Sequence, residues 1–464
     1  MAKIKPAEKS GKDNHRDKKE GIKKNQQNLY NVERTFKLAN QAHIATQSNN
    51  QYKMNDTQAE DFSSLIIRQI SIDKLAEEPK KLNPNQKTSV KTDKNPHEAL
   101  CQMFLKPLLK PKEGQDIKPG AEFPCKKEHI IELAQEVQTL LSAQPMVIKD
   151  IRPPVKIIGD IHGQYVDLMR FFDIWKAPNE AGDIHAFDYL FLGNFVDKGQ
   201  YSLEVVCLLF ALKLKFPRQI MLIRGNHEDR NVNKYLGFGD ECAKRLGEDI
   251  SDPNSAFARI NDAFDHLPLA AIVTDKVQKI FCVHGGIGPT LQDLEQIEQI
   301  QRPLEIKLGS DLTETHQRAI DLLWSDPHET EEETGFKHNY VRDPQKQNNM
   351  VQFGSDCLKT FLNRNNLSMM IRSNSICPEG IERFSDNIMS ITSCTNHSGI
   401  HDNDASILVV QKKLIISPKI IKTQVNSNTS IHWQEISTNN IPASVSSSIR
   451  RDPTPPRKRQ GNGF

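Results

Sequence analysis

Four short polar clusters in the middle of this chain carry the residue types that hold divalent ions and move protons. Asp160 and His162 stand one residue apart in VKIIGDIHG (155–163). GNFVDKG ends the run YLFLGNFVDKG (189–199), Asn226 and His227 end QIMLIRGNHE (219–228), and His284 ends KIFCVHGG (279–286). An Asp and a His one residue apart form a two-armed grip suited to a hard or borderline dication. One such residue alone is more often a turn residue or a surface histidine. The set differs, because every cluster follows an apolar run and sits beside a glycine.

The same runs indicate the elements that must position these residues. Each reads as a strand closed by a tight glycine turn, and strands that end together place their terminal side chains along one sheet edge. VDLMRFFDIW (166–175) and LEVVCLLFALKLK (203–215) read as helices between the strands, so 155–422 has α/β patterning. MSITSC (389–394) and ASILVVQKKLIISP (405–418) add later β runs. Upstream, LCQMFLKPLL (100–109) reads as a helix broken by Pro107. KKEHIIELAQEVQTLLSAQP (126–145) is a clearer helix, with Ile130, Ile131, Leu133, Val137, Leu140 and Leu141 on one face and Pro145 at its end.

A chain of 464 residues, 37% of them hydrophobic, can form one large domain with tails or two domains. We place the domain at 96–422. Residues 1–95, basic and low in large apolar residues apart from the amphipathic patch 62–70, and the Ser-, Pro- and Arg-rich residues 423–464 are expected to be disordered. A net charge of +2 gives no whole-protein field for nucleic acid, which is not expected as a partner. No apolar run is long enough to span a bilayer and the N-terminus shows no apolar signal core, so no membrane role is expected. Eight scattered cysteines without a CxxC pair point away from structural zinc and toward the cytoplasm or nucleus, with Cys207 and Cys282 as buried thiols.

The order and spacing of the four clusters resemble the phosphoprotein phosphatases, most closely the type 1 serine/threonine phosphatases. The match continues through 155–410 and includes GFGDEC (237–242) and LLWSDPH (322–328). The resemblance implies a metallophosphoesterase fold of the α/β (α+β) class: a β-sandwich of two mixed sheets flanked by helices, with the site at the strand ends. It implies divalent ions, Mn²⁺ or Fe and Zn, with Asp160 and His162 on the first and Asn226 and His284 on the second. His227 would be the general acid, oriented by Asp197. Two dications about 3.5–4 Å apart share a hydroxide and clamp phosphoryl oxygens for in-line attack.

Several positions depart from that pattern. The metal-bridging aspartate falls at Asn194 and a second-metal histidine at Asn374. The phosphate-binding arginines fall at Lys198 and Gln347, beside Asn226, and an aromatic residue falls at His397. A neutral amide does not offset the mutual repulsion of two close dications, about 1 kcal/mol even in water and several-fold more in a protein site. Lysine loses arginine's bidentate geometry. His397 and His401 share a loop and could replace the missing imidazole. These substitutions lead us to expect at most one tightly bound ion, and a pseudophosphatase or phosphoprotein binder more than an efficient hydrolase; the alternative is an active metal-dependent serine/threonine phosphatase with a modified second site. The resemblance also implies an apolar docking channel for regulatory subunits at Met369, Arg383 and Pro418, altered by the last two, and a regulatory phosphosite at Thr454 in DPTPPRKR (452–459).

Overall fold

The computed structural model describes residues 95–109, 120–175, 178, 183–309 and 312–423. The expectations for 1–94, the patch 62–70 and the tail carrying Thr454 lie outside the described residues.

Fourteen strands build three sheets among the described residues. β1 (Val147–Ile151), β5 (Ala270–Thr274), β6 (Lys279–Val283), β10 (Met369–Arg372), β12 (Ile388–Ile391) and β11 (Ile381–Ser385) form a six-stranded sheet in that order. β14 (Ile415–Ile421), β13 (Ala405–Gln411), β2 (Val155–Ile158), β3 (Asp188–Phe191) and β4 (Ile220–Leu222) form a five-stranded sheet in that order. Both are mixed: β2, β3 and β4 run parallel, as do β6, β10 and β12, while β13 and β14 pair antiparallel. The two mixed sheets agree with expectation. A third, three-stranded sheet of β7 (Asp326–Pro327), β9 (Val351–Phe353) and β8 (Phe336–His338) was not read from the sequence.

Strand alternation divides the core. On β3, Leu190 joins Ile157, Met221, Ile280 and Ile371 in one apolar cluster. Its neighbours Tyr189 and Phe191 join Ile158, Leu222 and the helices in another. On β6 and β10, Phe281, Val283 and Met370 pack with Trp324 and Phe361 in a third. Successive side chains of a strand point to opposite faces, so both sheets are apolar on both sides and the runs read as continuous hydrophobic stretches.

The helices follow the sequence closely, with one correction. α1 (Glu98–Leu108) is not broken at Pro107 but runs through it. The proline has no N–H for the Met103 carbonyl four residues back, and the Cys125 thiol donates to that carbonyl instead at 3.5 Å. α2 (Lys127–Ser142) buries Ile130, Leu133, Ala134, Val137 and Leu141 on one face. α3 (Tyr165–Trp175) follows β2, and α4 (Ser202–Lys215) follows β3 and is buried on nearly every side. Cys207 and Cys282 are buried and all eight cysteines are free. Among the described residues no helix is long and apolar enough to cross a membrane.

Candidate metal and phosphate site

The expected residues come from the ends of parallel strands in both sheets. Asp160 and His162 follow β2, Asn194, Asp197 and Lys198 follow β3, Asn226 and His227 follow β4, His284 follows β6, and Asn374 follows β10. The loop after β12 brings His397. One isolated parallel bridge, Asp160 with Thr392, ties the two sheet edges together beside the site. His162 (φ 49°), Asn194 (57°), Asp197 (72°), Lys198 (64°) and Asn374 (63°) all lie in the left-handed region. Each costs about 1–3 kcal/mol, and such residues collect at functional sites. Five left-handed residues thus stand together at these strand ends.

The loops after β3 and β4 are held from inside. Glu228 accepts the backbone N–H groups of Asn194 (2.7 Å), Phe195 (2.8 Å) and Gly225 (2.9 Å). Gly193 (φ 99°) and Gly225 touch backbone to backbone: a Cβ on Gly193 would stand 2.2 Å from the Gly225 nitrogen. No side chain fits there.

Asn194 is the decisive residue. Its Oδ1 accepts the His227 backbone N–H at 3.0 Å. A backbone N–H can only donate, so this contact fixes which end of the amide is oxygen. The Nδ2 end therefore turns inward, 3.1 Å from Asp160 Oδ2 and 3.4 Å from His162 Nε2. Where a metal-bridging group would offer lone pairs, this chain offers hydrogens. His162 donates from Nδ1 to the Val196 carbonyl at 3.0 Å, so its Nε2 lone pair faces the site. Lys198 is exposed as a residue, but its Nζ turns in to lie 3.3 Å from His162 Nε2 and 3.3 Å from His397 Nε2.

The remaining second-metal positions are also engaged. His284 is pinned through Nδ1 to the Leu192 carbonyl at 2.8 Å, and its Nε2 lies 3.2 Å from the Asn226 amide. Asn374 gives its backbone N–H to Asp160 Oδ1 at 3.3 Å, while its side chain turns away to Asp326 at 3.5 Å. Among the described residues no three His, Cys, Asp or Glu side chains are grouped to hold a metal ion. The residues present do not fit a two-metal centre.

His227 and Asp197 are in direct contact. His227 Nδ1 lies 2.7 Å from Asp197 Oδ2, and Asp197 Oδ1 accepts the Phe238 N–H at 3.0 Å. Burial pushes Asp197 up to about 7, and burial with the Lys198 charge holds His227 well below the usual histidine range. Both shifts oppose charge separation across the contact. Burial and then Lys198 push His162 down to about 4, and burial pushes Lys198 down to about 8. Burial alone would raise Asp160, but its contacts with His162 and His284 outweigh it and hold the carboxyl well below its usual range.

Gln347 does not join these residues. It is exposed, and its side chain donates to Gln345 at 2.9 Å. Arg342 stands at the site instead, on the loop between β8 and β9. Its Nε donates to Asp326 Oδ2 at 2.8 Å, its Nη2 donates to the Asn374 carbonyl, and its charge is felt by Lys198 and His227. The resemblance puts a phosphate-binding position at Gln347; the loop folds back through Asn339, whose Oδ1 accepts the Arg342 N–H at 3.1 Å. Arg372, buried beneath, donates to the same carboxylate at 2.8 Å. Burial would raise Asp326, but Arg342 and Arg372 outweigh it and keep it low. His397 is buried with its ring 5.0 Å from that of His162; the His401 ring lies 5.6 Å from that of His397, tilted by 55°.

Residues 153–373 match the family of calcineurin-like phosphoesterases. The chain is 38% identical over 363 residues to serine/threonine-protein phosphatase BSL2 of Arabidopsis thaliana, covering 77% of this chain and 34% of that protein. It thus spans about a third of that relative's length. A solved Saccharomyces cerevisiae protein serine/threonine phosphatase, described as similar to human phosphatase PP5, superposes with a TM-score of 0.54 at 25% identity over 65% of this chain and 91% of that one.

Proposed function

We propose that this chain, which carries a calcineurin-like metallophosphoesterase domain of the serine/threonine phosphatase family, binds phosphoserine or phosphothreonine proteins and hydrolyses them poorly. The family implies divalent metal ions. One observation carries the reading: the Asn194 amide turns hydrogens, not lone pairs, toward Asp160 and His162. A group that donates there competes with a dication for the same lone pairs. On this reading His227, backed by Asp197 at its Nδ1, would protonate a leaving oxygen, but an acid without an activated nucleophile gives little rate.

A second reading, hydrolysis through a modified metal site, draws on the His397 ring beside His162. Turnover of a phosphothreonine peptide in Mn²⁺ separates the two. We expect a rate far below the usual enzyme range, and turnover of about 1–10³ s⁻¹ would favour the second reading. Cytoplasmic or nuclear residence, and docking of regulatory subunits along Met369, Arg383 and Pro418, belong to the same proposal. Met369 is half-buried on β10, Arg383 pairs with Asp386 at 3.2 Å on β11, and Pro418 pairs with Leu408 on β14. A guanidinium and a ring without an N–H weaken an apolar, edge-pairing groove.

A further inference from the structure

We propose that the Lys198 ammonium is the resident cation of this site, fixed to the chain, and that the pocket binds a phosphate dianion without any metal ion. The inference rests on the phosphoprotein-binding reading and gives it a mechanism.

Lys198 and His397 are both departures from the pattern the chain resembles, and the structure makes them partners. The Lys198 Nζ lies 3.3 Å from each of two imidazole Nε2 atoms, on His162 and His397. His162 Nε2 is an acceptor, because Nδ1 carries the hydrogen that Val196 accepts. An ammonium has three hydrogens. Two serve the imidazoles, and the third is left for a ligand oxygen. An arginine would not fit this role, since its planar fork cannot act as a point charge between two ring nitrogens.

The neighbouring lone pairs are supplied in the same way. Asp160 Oδ2 receives Asn194 Nδ2 at 3.1 Å and Asp160 Oδ1 receives the Asn374 N–H at 3.3 Å. The Asp160 carboxylate and the His162 Nε2 thus already hold donors from the protein. The lysine is also placed by its backbone, at φ 64° with its N–H donated to the Leu236 carbonyl at 3.2 Å. Arg342 supplies a second positive charge from the Asn374 side. Two cations of different shape at one site, the second shared with Asp326, suit a compact, doubly charged oxyanion.

Calorimetric titration of the full chain with inorganic phosphate, once in EDTA and once in Mn²⁺, tests this. The expected result is equal affinity in both buffers, with Lys198→Met weakening it about tenfold or more, the loss of one charged donor. Lys198→Gln, which keeps a donor without the charge, should fall between the two. Phosphate that binds only in Mn²⁺, or in neither buffer, overturns the inference, as does a Lys198→Met chain that binds like the parent. If Lys198→Met does not fold, the buffer comparison on the parent and the Gln variant still decides. Rapid phosphopeptide turnover in Mn²⁺ overturns the phosphoprotein-binding reading; with unchanged phosphate affinity in EDTA it leaves the tethered cation standing.

Discussion

At the residue scale, single side chains set the chemistry, and their effects are coupled. Asn194→Asp exchanges a donor for a charge at the centre of the cage, and Asn374→His restores an imidazole on the other side. His is among the residues that tolerate a positive φ such as the 63° at position 374. On the impaired-site reading, each change alone leaves half a metal centre. We expect kcat/KM for a phosphothreonine peptide in Mn²⁺ to change little in either single variant and to rise about tenfold or more beyond their product in the double variant. Simple additivity would show that the two positions do not form one unit. The gathering of residues 194, 198, 374 and 397 past strand ends was legible because each follows an apolar run. Arg342 was not, because its place depends on a long loop whose path is set by the Asn339 and Asp326 contacts. Glu228 was visible as a letter beside His227, but nothing in the sequence says that its carboxylate gathers three amides from two loops.

At the element scale, the strand ends are packed too closely to admit substitution. Gly193→Ala would place a Cβ 2.2 Å from the Gly225 nitrogen at a φ of 99°. We expect a loss of roughly 3 kcal/mol or more in urea unfolding. Gly247→Ala has nothing within 4 Å, and should cost only the left-handed backbone penalty of about 1–2 kcal/mol. Equal costs would mean the two loops can part. A second test concerns the helix Glu314–Trp324, where Asp321 is buried with Oδ1 accepting from Gln317 at 2.9 Å and Oδ2 without a hydrogen-bond partner. Burial pushes this carboxyl from 3.8 up to about 7. The folded chain therefore binds the extra proton between these values, and stability falls as pH rises through that window. Asp321→Asn removes the dependence, so the Tm of the variant relative to the parent should be higher at pH 8 than at pH 5. A difference independent of pH would place the carboxylate in a wetter setting. The helices and the four strand ends were legible because apolar periodicity survives in them. β7 and β8 were not, because two- and three-residue strands of mixed polarity carry no period.

At the scale of the whole molecule, the fold was readable in outline because both sheets are apolar on both faces and announce themselves as runs. Their pairing order was not, since β1 pairs with β5 and β6 with β10 across long stretches of chain, and β11 lies outside β12. The chain also carries its own candidate ligand. A peptide spanning Thr454 and phosphorylated there gains about −1.5 to −2 charge at pH 7, partly offset by Arg457, Lys458 and Arg459. Against Lys198 and Arg342 it should bind the full chain at low ionic strength and release near ~1 M salt, where screening acts over about 3 Å. Calorimetry at two salt concentrations reads this directly. Tight binding at high salt would mean that shape and hydrogen bonding, not charge, dominate the grip.

Glu228 gathers the amides of Asn194, Phe195 and Gly225 into one carboxylate. Loops closed in this way reach their final form as the polypeptide leaves the ribosome and folds. On the tethered-cation proposal, a pocket closed in this way draws nothing from a cell's trace-element supply, and should work as well in a starved cell as in a replete one.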